Sequence, residues 1–302
     1  MRAFATVLVT GSPAVALAQP HIALPPVNIG GTSFMDGLGG PGLMNRLPLQ
    51  LYVAPRTVGP EGRALPGNNR LVSYSATAHA VYSPSTKFFD SYWGFEVLLP
   101  AAHIDLTTPS GKASATGVGD LIVSLFFLQL PDMTLLGGKL FHRLDITAVV
   151  PTGQYDRNAP VSVGSHLWSV NPYYAFTWLF HERIETSWRL QYLWNSVNGE
   201  PAPGFEARTV QPGQAAFFNG AASFELIKPL RTGVAGYFLQ QITDARADGR
   251  GVPQSKERVA ALGPGLFMME GTTQVIANAY WEFAVENRPM GARVNLQLLH
   301  VW

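Results

Sequence analysis

Hydrophobic and polar residues alternate from about position 49 to the C-terminus, in segments of roughly ten residues. Segment 183–194 is the clearest example, with one polar parity and one apolar or aromatic parity. Because successive side chains of a β-strand face opposite sides, this segment predicts a strand with one ionic and one apolar face. The polar parity holds Arg183, Glu185, Ser187, Arg189 and Gln191, against Ile184, Thr186, Trp188, Leu190, Tyr192 and Trp194.

The pattern predicts about twelve strands and no long helix. The predicted strands lie near 49–57, 69–83, 91–106, 118–130, 138–151, 166–180, 183–195, 213–227, 231–243, 257–270, 273–287 and 291–302. Long connections, rich in Gly, Pro, Asn and Ser, alternate with short ones, which is typical of a bacterial outer-membrane barrel. The connection at 287–291 is short where this layout expects a long one.

Energetics decide which face of each predicted strand meets lipid. An Arg or Lys side chain facing lipid near the midplane costs roughly 2–4 kcal/mol, so the charged parity must face inward. We therefore predict an all-β fold, a closed transmembrane antiparallel β-barrel of about twelve strands over 47–302, in the bacterial outer membrane. The alternatives are a soluble β-sandwich and a periplasmic lipocalin-like barrel. A lipocalin needs only about eight strands, and a sandwich would carry more surface Lys and Glu.

Composition narrows the chemistry. The chain has 302 residues, of which 47% are hydrophobic and 14% charged, against about 25% charged in an ordinary soluble domain. It has no Cys, which excludes disulfides, thiolate nucleophiles and Cys-ligated metals. Lys plus Arg is 21 and Asp plus Glu is 20, so no excess of basic residues points to nucleic acid. We predict no catalytic residue, no metal and no cofactor.

The N-terminus has the pattern of a secretory signal peptide. Residues 1–18 combine Arg2, a short apolar stretch and the cleavage pattern Ala16-Leu17-Ala18. Residues 19–46 form a Gly- and Pro-rich extension that contains Phe34, Met35 and Met44. We predict that this extension lies on the periplasmic side or sits in the barrel mouth as a plug.

Six short fragments, spread along most of the mature chain, resemble the phenol-degradation meta-pathway (MetA-pathway) family of outer-membrane barrels, whose members are described as transporters. The fragments are GGTSFMDG at 30–37, GGPG at 39–42, VPTGQYD at 150–156, VGSHLW at 163–168, GYFLQQITD at 236–244 and LGPG at 262–265. The resemblance implies a barrel and, loosely, uptake of hydrophobic or aromatic compounds. The terminal Trp302 resembles the aromatic residue that the barrel-insertion machinery reads.

The inward parity supplies the candidate solute-binding residues. They line the predicted lumen: Arg143, Asp145, Asn171, Tyr173, Glu185, Arg189, Gln191, Tyr280, Glu282, Glu286 and Arg293. Opposed charges could orient a small solute, and they could equally pair with one another, because an unpaired buried charge is costly. His79 shares its parity with Ser73, Ser75 and Thr77, but no G-x-S-x-G or H-E-x-x-H motif is present.

Three functions fit these features. The first is a channel for passive uptake of small hydrophobic or aromatic molecules, with a small-molecule solute and outer-membrane lipid as its partners. The second is an outer-membrane enzyme that acts on lipid, for which a Ser-His pair oriented by Asn or Asp would be needed. The third is a structural or adhesive barrel with a closed lumen. We favour the channel and expect no enzymatic activity.

Overall fold

The computed structural model describes residues 21–302, so the predicted signal peptide at 1–18 lies outside the described residues. Twelve long strands form the body of the molecule. They are β1 (Gly42–Val58), β2 (Arg70–Ser83), β3 (Ser91–Thr108), β4 (Leu121–Leu135), β5 (Gly138–Val150), β6 (Ser169–His181), β7 (Ile184–Asn195), β8 (Ala215–Ile227), β9 (Leu230–Gln241), β10 (Arg258–Glu270), β11 (Thr273–Glu286) and β12 (Arg288–Val301).

Each long strand pairs antiparallel with the next in sequence, and β1 closes the sheet against β12. The closing register runs from Met44 opposite Val301 to Val58 opposite Arg288. Closure leaves no strand edge without a partner in hydrocarbon. The prediction of a closed antiparallel barrel of twelve strands is confirmed, and the sandwich alternative is wrong. Among residues 21–302 no helix is long and apolar enough to cross a membrane.

Connections of very different length leave the two ends of the barrel. One end carries the long ones, which hold the short strands Gly111–Val118, Val210–Gln211, Arg246–Ala247 and Arg250–Gly251 and the 3-10 helix Pro203–Phe205. The other end carries tight turns and the short strand Lys87–Phe88. At the long-loop end, β11 and β12 are joined by Asn287 alone, with a positive φ of 54°. The first strand begins at Gly42, so residues 42–46 of the predicted extension belong to the barrel.

The outer face of the barrel is apolar and exposed. Leu190, Trp281 and Leu266 are 47%, 58% and 49% exposed. Leu190 and Trp281 lie on the apolar parity of their strands, and Leu266 lies on β10, next to the strand that carries Trp281. Exposure of this many large apolar side chains would be unfavourable in water and suits hydrocarbon. The belt also includes Tyr74, Leu144, Ile146, Phe224, Val234, Leu262, Phe283, Val294, Leu296 and Leu298.

The packed core lies inside the barrel rather than between two sheets. Ile29 and Phe34, which precede β1, are 3% and 1% exposed. They belong to one cluster with inward-facing residues of β9 and β11, among them Tyr237 and Tyr280. The chain before β1 therefore occupies the lumen and supplies part of its core.

Candidate functional site

Hydrogen bonds from seven strands hold the segment 28–37 in the lumen. The Gly30 N–H donates to Asn219 Oδ1 on β8 (2.8 Å), and the Asn219 amide donates to the Asn28 carbonyl (2.9 Å). Gln129 on β4 and Gln297 on β12 donate to the Gly37 and Gly31 carbonyls, both at 2.9 Å. Other contacts come from Arg143 on β5, Thr177 on β6, Arg189 and Gln191 on β7, Asn278 on β11, and Arg293 and Asn295 on β12.

Asp36 forms the strongest polar contact of this segment. Arg189 Nε and Nη2 each donate to one Asp36 carboxylate oxygen at 2.8 Å, which is a bidentate pair. Arg143 Nη2 lies 4.0 Å from the same carboxylate, and the Arg189 guanidinium stacks 4.1 Å from the centre of the Tyr173 ring. Burial alone would raise the pKa of Asp36, but Arg189, Arg143 and Arg46 together hold the pKa of this carboxyl below its ordinary value. Asp36 is therefore the counter-ion of a cluster of inward-facing arginines.

Two glycines allow the segment to approach the wall closely. A Cβ on Gly37 would lie 2.2 Å from the backbone nitrogen of Thr177. Gly30 has a φ of +70°, and a Cβ there would lie 2.9 Å from the Tyr237 ring. Neither contact can be made by a larger residue without a shift of the chain. The glycines of fragment 30–37 thus fit the segment to the barrel wall.

A second polar cluster surrounds Glu282 in the half of the lumen near the long loops. The hydroxyls of Tyr52 and Tyr237 donate to its carboxylate at 2.7 and 2.8 Å, and the Gly291 N–H donates at 2.9 Å. The Arg293 guanidinium lies 5.0 Å from the Tyr52 ring centre and donates to the Ile29 carbonyl. The carboxylate and the guanidinium therefore share tyrosine neighbours.

A third cluster lies on the inner faces of β2–β5. His79 Nε2 is 2.8 Å from Glu96, and Ser124 donates to Asp145. In the part of the chain that the structure describes, no hydrogen bond joins His79 to Ser73, Ser75 or Thr77. The geometry of a Ser-His pair is thus not assembled there.

Four other predicted residues form hydrogen bonds or pack within the barrel. Glu185 is fully buried and accepts hydrogen bonds from Ser187 and Ser223, both at 2.6 Å. Asn171 donates to the Tyr192 carbonyl, and Gln191 donates to the Asn28 carbonyl at 3.3 Å. Tyr280 is also fully buried and packs against Tyr237.

Glu286 lies away from these clusters, at the long-loop rim, where it pairs with Arg258. The register of β10 and β11 shifts just before it, and Ala284 has a positive φ of 50°. This bulge reverses the alternation, so that Val285 is buried in the core cluster. Strict parity counting from Glu282 therefore misplaces Glu286.

Among the charged lumen residues that were not predicted are three acidic ones: Asp36, Glu96 and Glu257. Glu257 accepts from the Leu24 N–H at 2.7 Å and from Arg288 at 3.1 Å. One signal in the sequence pointed to Asp36, since it is the only acidic residue between positions 19 and 60. An isolated carboxylate in an uncharged segment, ahead of strands that carry inward arginines, is a natural pairing partner for them.

The wall formed by β1–β3 is less covered than the rest of the lumen. The inward residues of β2 are polar and partly exposed, and they pair with inward residues of β3 that are apolar and partly exposed. The pairs are Ser73 with Ile104, Ser75 with Ala102, Thr77 with Pro100 and His79 with Leu98. A cavity of about 260 Å³ lies beside this wall, between β1, β2 and β12 and residues 24–29.

No group of three or more His, Asp or Glu residues within 21–302 is arranged to hold a metal ion.

Comparison with known proteins places this architecture in a family. The family described as "Putative MetA-pathway of phenol degradation" matches residues 54–298. The chain belongs to this family. The match covers β2–β11 completely and most of β12, so it includes nearly the whole barrel. No curated protein sequence matches the chain significantly.

One of three similar solved structures superposes closely on the barrel. An outer membrane channel from Pseudomonas putida F1 superposes with a TM-score of 0.76 at 16% identity, covering 88% of this chain and 97% of that one. The β domain of the Bordetella autotransporter BrkA gives 0.48 at 10% identity, covering 87% and 100%. The P. putida toluene transporter TodX gives 0.41 at 7% identity, covering 88% and 91%. The superposition on the P. putida F1 channel shows that the chain has the fold of that outer membrane channel.

Proposed function

We propose that this protein is a channel for the passive uptake of small hydrophobic or aromatic compounds across the outer membrane. The observation that carries the proposal is a closed barrel whose lumen contains a cavity beside a partly exposed wall. The family's link to phenol degradation supports aromatic solutes. The P. putida channel shares the fold. Passive diffusion would require neither a cofactor nor a covalent step.

The chemistry of the exposed wall suits a solute with an aromatic ring and one polar group. The β2 column offers the hydroxyls of Ser73, Ser75 and Thr77, and the adjacent β3 column offers the apolar side chains of Leu98 and Ile104. A phenol-sized molecule can therefore bury its ring against β3 while its hydroxyl bonds to β2. The charged cluster around His79 and Glu96 lies further along the same wall and would favour compact solutes over long chains.

We assign residues 21–41 the role of a plug that narrows the lumen, with the Asp36–Arg189 pair as its main polar anchor. The support is the ring of hydrogen bonds from β4, β5, β6, β7, β8, β11 and β12 to residues 28–37. On this proposal β1–β3 are the side along which solutes pass, because few of those bonds come from these strands.

A lipid-acting enzyme is less well supported, because His79 bonds to Glu96 rather than to a serine. Contact with outer-membrane lipid is supported by the apolar belt, in which Trp281 is 58% exposed. Recognition by the insertion machinery through Trp302 is consistent with its place at the end of β12, where it is 74% exposed. The candidate residues Arg143, Asp145, Tyr173 and Arg189 would act on solutes mainly through the charge balance around the plug.

Solute flux into liposomes tests the proposal. The refolded mature chain would be compared with empty liposomes for phenol, benzoate and a pentose of similar size. The proposal expects faster uptake of the two aromatic compounds than of the sugar. Equal uptake of all three would indicate a general pore. If the barrel is folded and none of the three solutes enters, the channel is refuted and the structural or adhesive barrel becomes the favoured function.

A further inference from the structure

The cavity between residues 24–29 and the β1–β2–β12 wall has the size of a site for one aromatic ring. Its volume is about 260 Å³. A cavity of about 150 Å³ accommodates benzene in a protein interior, so a ring with one substituent fits here. Leu24, Pro25 and Leu71 supply apolar surface, and Tyr52 supplies an aromatic face.

The charge of the cavity wall is positive. Arg288, Arg293 and Glu257 are the ionisable side chains that line it, apart from Tyr52. Glu257 is already occupied, because it pairs with Arg288 at 3.1 Å and with His21 at 3.0 Å and accepts the Leu24 N–H. The wall thus carries two guanidinium groups and one carboxylate whose partners lie within the protein.

Arg293 lacks a carboxylate partner. It is 7% exposed, and among residues 21–302 no Asp or Glu oxygen lies within 4.0 Å of its guanidinium. Its Nη1 donates to two neutral acceptors, the Ile29 carbonyl and Gln50 Oε1, and its Nε has no acceptor. The nearby Glu282 is bound by Tyr52 and Tyr237 and does not line the cavity. A buried guanidinium without a carboxylate partner favours an anionic ligand.

Resting on the proposed channel function, we propose that this cavity is a binding site for single-ring aromatic carboxylates, with Arg293 as the residue that binds the carboxylate. The ring would lie against Leu24, Pro25 and Leu71, and the Tyr52 ring would border it. A guanidinium suits the two oxygens of a carboxylate better than a single hydroxyl, which makes the acid the preferred ligand over the neutral phenol.

Calorimetric titration of the folded chain in detergent tests the site with three probes: benzoate, benzamide and acetate. Benzamide keeps the ring and removes the charge, and acetate keeps the charge and removes the ring. We expect saturable binding of benzoate, with affinity about tenfold or more above that of either control probe. Equal affinity for benzoate and benzamide, or no saturable binding of benzoate, would overturn the proposal.

Two variants separate the charge from the shape of the site. Arg293→Gln should weaken benzoate binding about tenfold, while Arg56→Gln, an exposed arginine outside the cavity, should leave it unchanged. Leu71→Trp should abolish binding by filling the cavity while leaving both guanidinium groups in place. Heat-modifiable gel migration checks that each variant is folded. Benzoate binding that survives both Arg293→Gln and Leu71→Trp would contradict the site.

The outcomes also separate this site from the channel itself. If benzoate fails to bind but phenol crosses liposomes, the site is refuted and the proposed function stands. If benzoate binds as expected but no solute crosses, the site stands and the channel is refuted.

Discussion

The wall formed by β7–β9 and the wall formed by β1–β3 share one barrel but differ in their inner faces. On β7, the inward residues Glu185, Ser187 and Arg189 are between 0% and 7% exposed, because they pack among themselves and against residues 28–37. On β2, the inward residues Ser73, Ser75 and Thr77 remain partly exposed. The N-terminal segment therefore packs more closely against β7–β9 than against β1–β3.

This difference shows how one lumen can be both well packed and accessible. Gln191 and Asn219 of the packed wall bond to backbone groups of the N-terminal segment, and Arg189 bonds to its Asp36 carboxylate. These bonds satisfy polar groups that a narrow lumen would otherwise bury without partners. The exposed wall has small hydroxyls beside apolar side chains and few contacts with the segment.

Removal of the segment should have the largest effect. Deletion of residues 21–41 leaves β1–β12 intact, empties the packed side and frees Arg189 and Arg143 of their counter-ion. We expect a several-fold increase in single-channel conductance in planar bilayers, together with a shift of the reversal potential toward anion selectivity. Deletion of the loop residues 199–206 is the control. Unchanged conductance and selectivity would show that the segment does not restrict the lumen.

Loss of the Asp36 charge should have the next largest effect. Asp36→Asn breaks a buried bidentate pair, and such a loss costs on the order of 3 kcal/mol. We expect more frequent opening in bilayer recordings and a lower urea midpoint for the folded chain. Asp132→Asn, which breaks an exposed 3.9 Å pair with Lys139, is the control and should cost under about 1 kcal/mol. Equal effects of the two variants would contradict the anchoring role.

A single methyl group tests the close fit of the segment to the barrel wall at Thr177 on β6. Gly37→Ala would bring a Cβ to 2.2 Å from the Thr177 backbone, and relief of such overpacking costs about 1–3 kcal/mol. Gly40→Ala is the matched control, because nothing lies within 4 Å of its Cβ. We expect increased conductance fluctuations for the first variant only. Fluctuations that match in both variants would mean that the segment is not held as tightly at Gly37 as the contacts indicate.

The sequence predicted the barrel because lipid imposes a simple rule on every strand. Charged residues such as Arg189 must alternate with apolar ones such as Leu190, and that pattern can be read locally. Twelve strands followed from it with small shifts at their ends, the largest being the start of β1 at Gly42.

The internal arrangement of the lumen was harder to predict, since its contacts join distant positions. Asp36 and Arg189 are 153 residues apart, and nothing local to either residue specifies the other. The bulge at Ala284 shows a second limit, because a change in backbone conformation reverses the parity on which the position of Glu286 was predicted. Pairing and bulges depend on the assembled barrel rather than on the pattern of one strand.

Because the chain has no cysteine, two single-cysteine variants test the passage of solutes along β1–β3 most directly. Ser75→Cys places the thiol on the exposed wall, and Ser187→Cys places it on the packed wall, where the serine is 1% exposed. Phenol flux into liposomes would be measured before and after treatment with a bulky, charged methanethiosulfonate reagent. We expect rapid labelling and a large loss of flux for Ser75→Cys, with neither change for Ser187→Cys. Undiminished flux through fully labelled Ser75→Cys would contradict a passage along β1–β3.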